Sequence, residues 1–457
     1  MKKAFWFRRD LRVYGNEALI AAVEQGARDA LFLYCEQQWQ QHGVAEIQLD
    51  LLKRRVVELG AMLSEFGINL HIIDAKDFEQ VPDTLSEFCS DHNISALFAN
   101  KEYEVNELKR DAACCERLQL TLFDGDVIAK PGSVLTGSGD MFKVFTPFKK
   151  AWLKQHSNQH FTFKQWPLDK QQSRSFTAPD FFSISESSHK WPVNDEAIVA
   201  VVNRFISDKL ADYQEYRDFP AIKGTSGLSP YLALGIVSAK QLLAQVQLHF
   251  PEVLENPSKA EFCWVNEIIW REFYRHLIVA YPKLCMGFNF NDKYDAVAWR
   301  EDDSQFQAWC QGKTGYPIVD AAMRQLNKTG WMHNRLRMIV ASFLTKHLLI
   351  DWRKGEHYFM SKLIDGDLAS NNGGWQWAAS TGCDAQPYFR VFNPITQSER
   401  FDPDGTFIRT YVPELKDVPA KHIHFPHDYL AAFGGEYVAP LVEHKAARAR
   451  ALDAFKV

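Results

Sequence analysis

The sequence lacks any apolar segment long enough to span a membrane, because charged residues interrupt its longest hydrophobic runs. Its N-terminus, MKKAFWFRRDLR, is basic, but no apolar stretch follows as in a secretory signal. None of the eight cysteines forms a CxxC pair, and no His/Cys spacing resembles a zinc site. We therefore expect a cytoplasmic protein without a membrane anchor, with reduced thiols and no bound metal.

Signatures of common nucleotide-binding and hydrolytic enzymes are also missing. No GxGxxG follows the first predicted strand, where FRRDLRVYGNEAL stands instead. GKT at 312–314 lacks the glycine that a P-loop needs five residues earlier, since Gln307 occupies that position. A zinc-binding histidine helix and a GxSxG elbow are absent as well. These absences exclude an ordinary dinucleotide-binding enzyme and the common hydrolases.

Neither sign of charge dominates the chain, because 52 basic and 57 acidic residues leave a formal net charge of only -5. Residues 321–354 are different: they contain seven basic residues and one acid, a local charge of +6. Aromatic and apolar residues alternate with these cations. Such a stretch is either a solvated helix face or a surface that faces DNA.

The chain of 457 residues is long enough for two or three domains. Short β-rich runs at 4–7, 31–35, 70–73, 96–99 and 121–123 alternate with helical stretches near 16–25, 46–66, 80–92 and 104–118. This alternation predicts a parallel sheet with helices on both faces. We therefore predict an α/β plus all-α architecture: a Rossmann-like parallel-sheet domain (1–125), a long connector (126–200) and a C-terminal helical domain (201–457), with amphipathic helices at 259–280, 317–327 and 332–349.

Four segments carry residues suited to chemistry. The stretch 363–377, LIDGDLASNNGGWQW, mixes acids, amides and tryptophans, which is typical of a pocket for a large, flat, polar ligand. TSGLS at 225–229 is either a helix cap or a phosphate cradle. WVNEIIWREFYRH at 264–276 is a core helix or a cofactor wall, with Trp264, Glu267 and Arg271 on one face. WMHNRLRM at 331–338 places Asn334 and Met338 one helical turn apart.

Three long motifs, WVNEIIWREFYRH, GKTGYPIVDAAMRQLNKTGWMHNRLRM and DGDLASNNGGWQWAASTGCDAQPYFRVFNP, together resemble the photolyase/cryptochrome family. The opening FWFRRDLRVYGNEAL is similar to that family's first motif. The resemblance covers essentially the whole chain and is strongest to class I bacterial photolyases. It implies light-driven repair of cyclobutane pyrimidine dimers in DNA by electron transfer from excited reduced FAD, with an antenna pigment. The alternative within the family is a cryptochrome-type blue-light photoreceptor that repairs nothing.

The resemblance also implies which residues bind FAD in the helical domain. Phosphates and neighbouring groups would be held by Tyr213 and by Thr225, Ser226, Gly227, Leu228 and Ser229. The flavin pocket would be lined by Trp264, Arg271, Arg337, Asp365, Gly366, Asp367 and Asn371. Arg337 would pair with Asp365, and Asn371 would face the redox nitrogen. Gly227 stands where relatives often carry a larger basic residue.

For the lesion, the resemblance implies apolar walls from Trp270 and Trp377, a hydrogen bond between the damaged bases and Glu267, and a lining from Asn334 and Met338. With Asn371 these form the expected catalytic set. The residues implied to contact DNA are Arg217, Glu267, Trp270, Arg271, Asn334, Arg335 and Arg390. A (6-4) photolyase would carry histidines at positions 334 and 338, and a plant-type cryptochrome would usually have Asp at position 371. The partner is therefore expected to be dimer-containing DNA, bound by a monomer.

Two further groups follow from the resemblance. Trp299, Trp352 and Trp375 match the family's electron-transfer chain, although three packing tryptophans would have the same spacing. YEVNE at 103–107 resembles a folate-binding motif and implies an antenna site formed by Asn106, Glu107 and Cys285 for methenyltetrahydrofolate. Met286 stands where folate-binding relatives often have Lys.

Overall fold

The computed structural model describes residues 2–171 and 175–457. The chain divides into two compact units whose segments alternate along the sequence. The first unit consists of Met1–Ala211, Ser226–Cys285 and Ile364–Asp367. The second unit consists of Asp212–Thr225, Met286–Leu363 and Leu368–Val457.

A five-stranded parallel sheet lies in the first unit. Its strands are β1 (Lys2–Phe7), β2 (Asp29–Tyr34), β3 (Asn69–Asp74), β4 (Ile94–Asn100) and β5 (Leu120–Phe123), in the order β3-β2-β1-β4-β5. In register, Phe5 of β1 is opposite Ala30 of β2 and Phe98 of β4. The predicted parallel sheet is thus confirmed, and the buried runs in β1 and β2 reflect helices on both faces.

Helices of the sheet layer are α1 (Glu17–Glu24), α2 (Glu36–Gln41), α3 (Glu46–Ser64), α4 (Val81–His92) and α5 (Val105–Arg117). Asn16 starts α1 by accepting a hydrogen bond from Leu19 N at 3.2 Å. Asn93 ends α4 in the left-handed region at φ 55°. The short α2 was not predicted, because its glutamine-rich sequence has little hydrophobic periodicity.

Helices follow β5 to the end of the chain, and the described residues contain no further strand. They are α6 (Phe145–His156), α7 (Asp195–Asp208), α8 (Tyr213–Tyr216), α9 (Ser229–Ala233), α10 (Ala239–His249), α11 (Phe262–Ala280), α12 (Asp303–Cys310), α13 (Pro317–Thr329), α14 (Asn334–Ser342), α15 (Trp352–Met360), α16 (Leu368–Ala379), α17 (Pro394–Phe401), α18 (Thr406–Tyr411), α19 (Ala420–Ile423), α20 (His427–Phe433) and α21 (His444–Ala454). The C-terminal helical fold predicted from the sequence is confirmed.

The structure adds detail to two expectations about local structure. The segment 126–200, expected to be a long connector, contains α6, which packs on α11 through Phe148 and Phe273 with ring centroids 5.1 Å apart. The helical segment expected over 332–349 is confirmed for residues 334–347, where α14 passes without interruption into a π-helical turn, Phe343–His347. Hydrophobic periodicity did not reveal this wider turn, because every residue of the turn is buried. Among the described helices, none is both long and apolar enough to cross a membrane.

Candidate functional site

The segment at residues 225–229, which leads into α9, carries the backbone and hydroxyl groups expected to bind phosphate. Ser226 Oγ accepts a hydrogen bond from Leu228 N at 3.3 Å, which holds the turn closed. Gly227 has φ 68°, and an added Cβ would meet no atom within 4 Å. The left-handed backbone, rather than crowding, therefore favours glycine here. Thr225 and Ser229 flank this turn, and Thr225 belongs to the second unit.

Helix α11 presents a mixed aromatic and charged face in the first unit. Trp264 is buried against Phe205, with ring centroids 5.1 Å apart. Trp270 stacks on Phe145 of α6 at 3.6 Å and 9°, so one face of its indole is supported. Glu267, one turn earlier, is half-buried. Phe145 was missed because it lies in the segment 126–200, which was expected to be a connector.

The loop 364–367 holds two buried acids, Asp365 and Asp367. Gln48 of α3 donates to Gly366 O at 2.8 Å. Asp367 accepts two hydrogen bonds from Arg275, at 2.7 and 2.5 Å. Arg275 was not anticipated, although its position on α11, one turn after Arg271, was a signal that could have been used. The pairing of Arg337 with Asp365 stays a prediction.

Helix α14 begins beside a buried neutral histidine in the second unit. His333 Nδ1 accepts a hydrogen bond from Arg335 N at 3.2 Å, so the ring carries its hydrogen on Nε2. Burial lowers the pKa of His333 to about 4. Asn334 is exposed at the first position of α14, and Met338 lies one turn further and half-buried. Arg337 Nε donates to Met332 O at 2.8 Å.

Asn371 on α16 is oriented by α15. Its Nδ2 donates to the backbone oxygen of Glu356 at 3.0 Å, which fixes the direction of the amide. Asn372 Nδ2 donates to Glu356 Oε1 at 2.8 Å. Burial raises the pKa of Glu356 to about 7. Glu356 was missed because its position just after the basic stretch 321–354 gives no sign of its partners.

The second unit holds the tryptophans expected to carry electrons. Trp352 and Trp375 are fully buried, and Trp352 Nε1 donates to Asn289 Oδ1 at 2.9 Å. Trp375 lies directly on Gly355 of α15, where a Cβ would overlap its ring. Trp299 is only partly buried and contacts Phe455 edge-on, with centroids 5.7 Å apart.

Two candidate DNA contacts of the second unit, Arg217 and Arg335, lie beside the same carboxylate, Asp218, which the motifs did not reveal. Arg335 pairs with Asp218 at 2.9 Å, and Arg217 Nε lies 4.0 Å from the same carboxylate. The Arg217 guanidinium also lies over the Tyr213 ring at 5.2 Å. Arg390 is exposed on the loop after α16, and Trp377 is partly buried against Phe392.

The antenna candidates Asn106 and Glu107 lie at the start of α5. Asn106 is exposed and hydrogen-bonds His42 Nε2 at 2.9 Å. Burial, followed by the charge of Glu104, raises the pKa of Glu107 to about 8. Glu107 Oε2 has no hydrogen-bond partner among the described residues. Cys285 is half-buried in the 3-10 turn Pro282–Met286, and Met286 is exposed.

Each unit holds polar groups of the kind that bind a flavin nucleotide. Among the described residues, Asn266 Oδ1 on α11 of the first unit is a buried acceptor without a hydrogen-bond partner, and His333 Nε2 of the second unit is a buried donor without one. Half-buried hydroxyl groups at Ser226 and Ser229 suit phosphate or ribose oxygens. A ligand with an aromatic ring system and many polar atoms satisfies such a donor and acceptor set.

Comparison with known proteins identifies the family. Residues 3–168 match the family described as DNA photolyase, and residues 264–457 match the FAD binding domain of DNA photolyase. Two similar proteins, from Vibrio cholerae and Escherichia coli, are each named deoxyribodipyrimidine photo-lyase. They are 45% and 46% identical to this chain, and each alignment covers 99% of this chain and 98% of the relative.

Solved structures agree with the sequence comparison. A bacterial class III photolyase from Agrobacterium tumefaciens has a TM-score of 0.86 at 36% identity, covering 99% of this chain and 97% of that one. A Synechocystis cryptochrome gives 0.85 at 27% identity, covering 99% of both chains. An archaeal photolyase from Sulfolobus tokodaii, with two FAD molecules, gives 0.77 at 29% identity over 100% of both chains. Matches of this extent establish that the chain belongs to the DNA photolyase family and carries its FAD-binding domain.

Proposed function

We propose that this chain repairs cyclobutane pyrimidine dimers in DNA by light-driven electron transfer. The observation that supports this proposal best is the α11 surface, where Trp270 stacks on Phe145 and Glu267 lies one turn away. A stacked aromatic side chain beside a carboxyl group suits an extruded pyrimidine dimer, whose bases are uncharged and must be both held and hydrogen-bonded. Similar proteins named for this reaction support the same substrate.

The protein's part in the reaction is to extrude and orient the dimer. The two pyrimidines of a dimer are poorly stacked and poorly paired with the opposite strand, so extruding them costs less free energy than extruding normal bases. Trp270 and Trp377 would contact the apolar faces of the dimer, while Glu267, Asn334 and Met338 line the remaining sides. FAD, when bound, would supply light-driven electron transfer to the dimer and back, so the reaction would be that of a lyase without net redox change.

The residues expected to contact FAD are Tyr213, Thr225, Ser226, Gly227, Leu228, Ser229, Trp264, Arg271, Arg337, Asp365, Gly366, Asp367 and Asn371. The hydrogen bond from Asn371 Nδ2 to Glu356 O supports a fixed amide, whose oxygen is then available to accept from the cofactor. An uncharged amide tolerates cofactor states of different charge.

Electrons for reducing FAD would come through Trp299, Trp352 and Trp375. The partial exposure of Trp299 and the burial of the other two support a path from surface to interior. DNA phosphates would contact Arg217, Arg335 and Arg390, and Arg271 is also expected to contact DNA. Binding should therefore weaken with salt and be insensitive to sequence. That the chain acts as a cytoplasmic monomer stays a prediction.

An antenna pigment, methenyltetrahydrofolate, would bind at Asn106, Glu107 and Cys285. The raised pKa of Glu107 supports a carboxyl group that is largely protonated at neutral pH. Such a group can donate a hydrogen bond to a ring nitrogen or carbonyl of a pterin.

Glu267→Gln tests the proposed role of the Glu267 carboxyl group in repair. Gln keeps the shape but removes the charge that strengthens hydrogen bonds from the damaged bases. We expect at least a several-fold lower repair yield per absorbed photon, with little change in affinity for dimer-containing duplex. Affinity is measured by fluorescence anisotropy and yield by dimer loss under calibrated light. An unchanged yield would exclude Glu267 from catalysis.

A further inference from the structure

Arg275 is a buried cation on α11, and it is not among the residues that the family resemblance assigns to FAD, to DNA or to the lesion. It lies one helical turn after Arg271. Its Nη1 and Nη2 donate to the two oxygens of Asp367 at 2.7 and 2.5 Å, a bidentate arrangement. The Arg275 and Asp367 side chains are 5% and 9% exposed, so solvent screens their attraction little. The contact thus fixes both the charge and the direction of the Asp367 carboxylate.

Asp126 ties the same arginine to its neighbour on α11. One carboxylate oxygen accepts from Arg275 Nε at 2.8 Å, and the other pairs with Arg271 Nη2. The backbone oxygen of Asp126 also accepts from Arg271 Nη1 at 2.7 Å. The charges of Asp126 and Asp367 are therefore balanced by Arg271 and Arg275 within one network.

Neighbouring contacts anchor the chain segment that carries Asp126. Glu272 accepts hydrogen bonds from Ile128 N at 3.0 Å and from Ala129 N at 2.8 Å. His276 lies 3.0 Å from Ala129 O, and burial lowers the pKa of His276 to about 4, so it adds no charge at neutral pH. Helix α11 thus holds residues 126–129 through side chains spaced along one face.

We propose that Arg275 is a positioning residue for FAD: it orients the Asp367 carboxylate toward the cofactor and cancels its charge. This inference rests on the proposed contact between Asp367 and FAD. Without Arg275, the buried site would lose the cation that contacts both oxygens of Asp367. The loss of this positive charge would disfavour the additional negative charge that the cofactor acquires on reduction.

Two substitutions separate charge from geometry in the FAD-loaded, full-length protein. Arg275→Met removes both, so we expect the ratio of reduced to oxidised cofactor at a fixed potential to fall about tenfold, or about 59 mV for a one-electron step. Arg275→Lys keeps the charge but cannot form the bidentate contact. It should keep the potential close to wild type while FAD dissociates several-fold faster. Spectroelectrochemical titration and FAD-release kinetics give the two readouts.

Arg55→Lys is the matched control. Arg55 is fully buried in the same unit, pairs with Asp195 at 2.7 Å and donates to Leu11 O at 2.8 Å, without contacting the Asp367 network. Its substitution should lower stability without changing the potential or FAD release.

Four outcomes decide the proposal. Wild-type potential and FAD release in Arg275→Met would overturn it, as would equal shifts in Arg55→Lys. If Arg275→Met does not fold, Arg275→Lys decides, and unchanged FAD release would contradict the proposal. Both shifts, absent from the control, would support it. None of these readouts uses DNA, so a failure of dimer repair in the wild-type protein would be a separate result.

Discussion

Trp352 illustrates how one buried side chain serves both packing and the proposed electron path. It begins α15 and hydrogen-bonds Asn289. Trp352→Phe keeps an aromatic ring but loses this hydrogen bond, at a cost of about 1 kcal/mol, and phenylalanine is far harder to oxidise. We expect photoreduction of oxidised FAD to stop, while repair by chemically reduced protein remains nearly intact. Absorbance under illumination and a dimer-loss assay measure the two activities.

Trp152→Phe is the control, because Trp152 is equally buried but belongs to the first unit, outside the predicted electron path. It should photoreduce like wild type. Photoreduction at the normal rate in Trp352→Phe, or loss of both activities there, would contradict the separate roles.

Single residues differ in how far the sequence predicts them. Glu267 and Trp270 lie in one motif on one helix, so helical spacing indicates which side they share. Their partners are contributed by distant segments: Phe145 supports Trp270, Asp126 binds Arg271, and Glu356 orients Asn371. Spacing within a motif carries no information about such contacts, because they depend on the tertiary fold.

The C-terminal helix α21 docks on the π-helical turn through two histidines. His347 Nε2 lies 2.9 Å from His444 Nδ1, and the rings stack at 5.1 Å. Arg450 of the same helix donates to His347 O, and buried Lys346 donates to Ala379 O at 3.0 Å. Burial lowers the pKa of His347 to about 3, and burial also lowers the pKa of His444. Both rings are therefore neutral in the folded protein at neutral pH.

The low pKa of His347 predicts that the folded protein loses stability in acid. In the unfolded chain each histidine takes up a proton near pH 6.5, whereas folded His347 does so only near pH 3. Protons therefore favour the unfolded state, and the free energy of unfolding falls as pH falls from about 6.5 toward 3. Between pH 6.5 and 5 the loss from His347 is about 2 kcal/mol. Denaturant unfolding at several pH values measures it.

His347→Gln removes this titrating ring and should reduce the slope by the contribution of His347, while the buried His276 and His333, whose pKa values are lowered to about 4, still contribute theirs. His189→Gln, at an exposed histidine, should leave the slope unchanged. An identical pH dependence in His347→Gln and wild type would show that acid acts elsewhere.

At the scale of elements, periodicity was informative for the long helices. Helices α3, α11 and α13 were predicted because their buried residues repeat regularly, whereas the strands were predicted as short β-rich runs, which are buried almost throughout in β1 and β2. Helix α6 was missed because the segment around it is rich in Pro, Ser, Gln and Lys, although Phe145, Phe148 and Trp152 provide a buried face.

The whole molecule follows the predicted fold class, since alternating strands and helices permit few arrangements other than a parallel sheet. The division into units was not predictable in the same way. The short loop Ile364–Asp367 belongs to the first unit, although the residues on both sides belong to the second. Local composition identified 363–377 as unusual, but only tertiary contacts assign Asp367 to Arg275 and Asn371 to Glu356.

Dimer loss from a defined DNA duplex tests the central claim most directly. Protein with chemically reduced FAD would be mixed with a duplex containing a single thymine dimer and illuminated near the boundary of blue and ultraviolet light. Matched samples would stay dark, and nucleosides would be quantified by chromatography. We predict that light converts the dimer to two intact thymines over many turnovers, without net consumption of reductant, and that dark samples do not change. Dimers that persist under light, with FAD bound and reduced, would contradict repair and favour a photoreceptor.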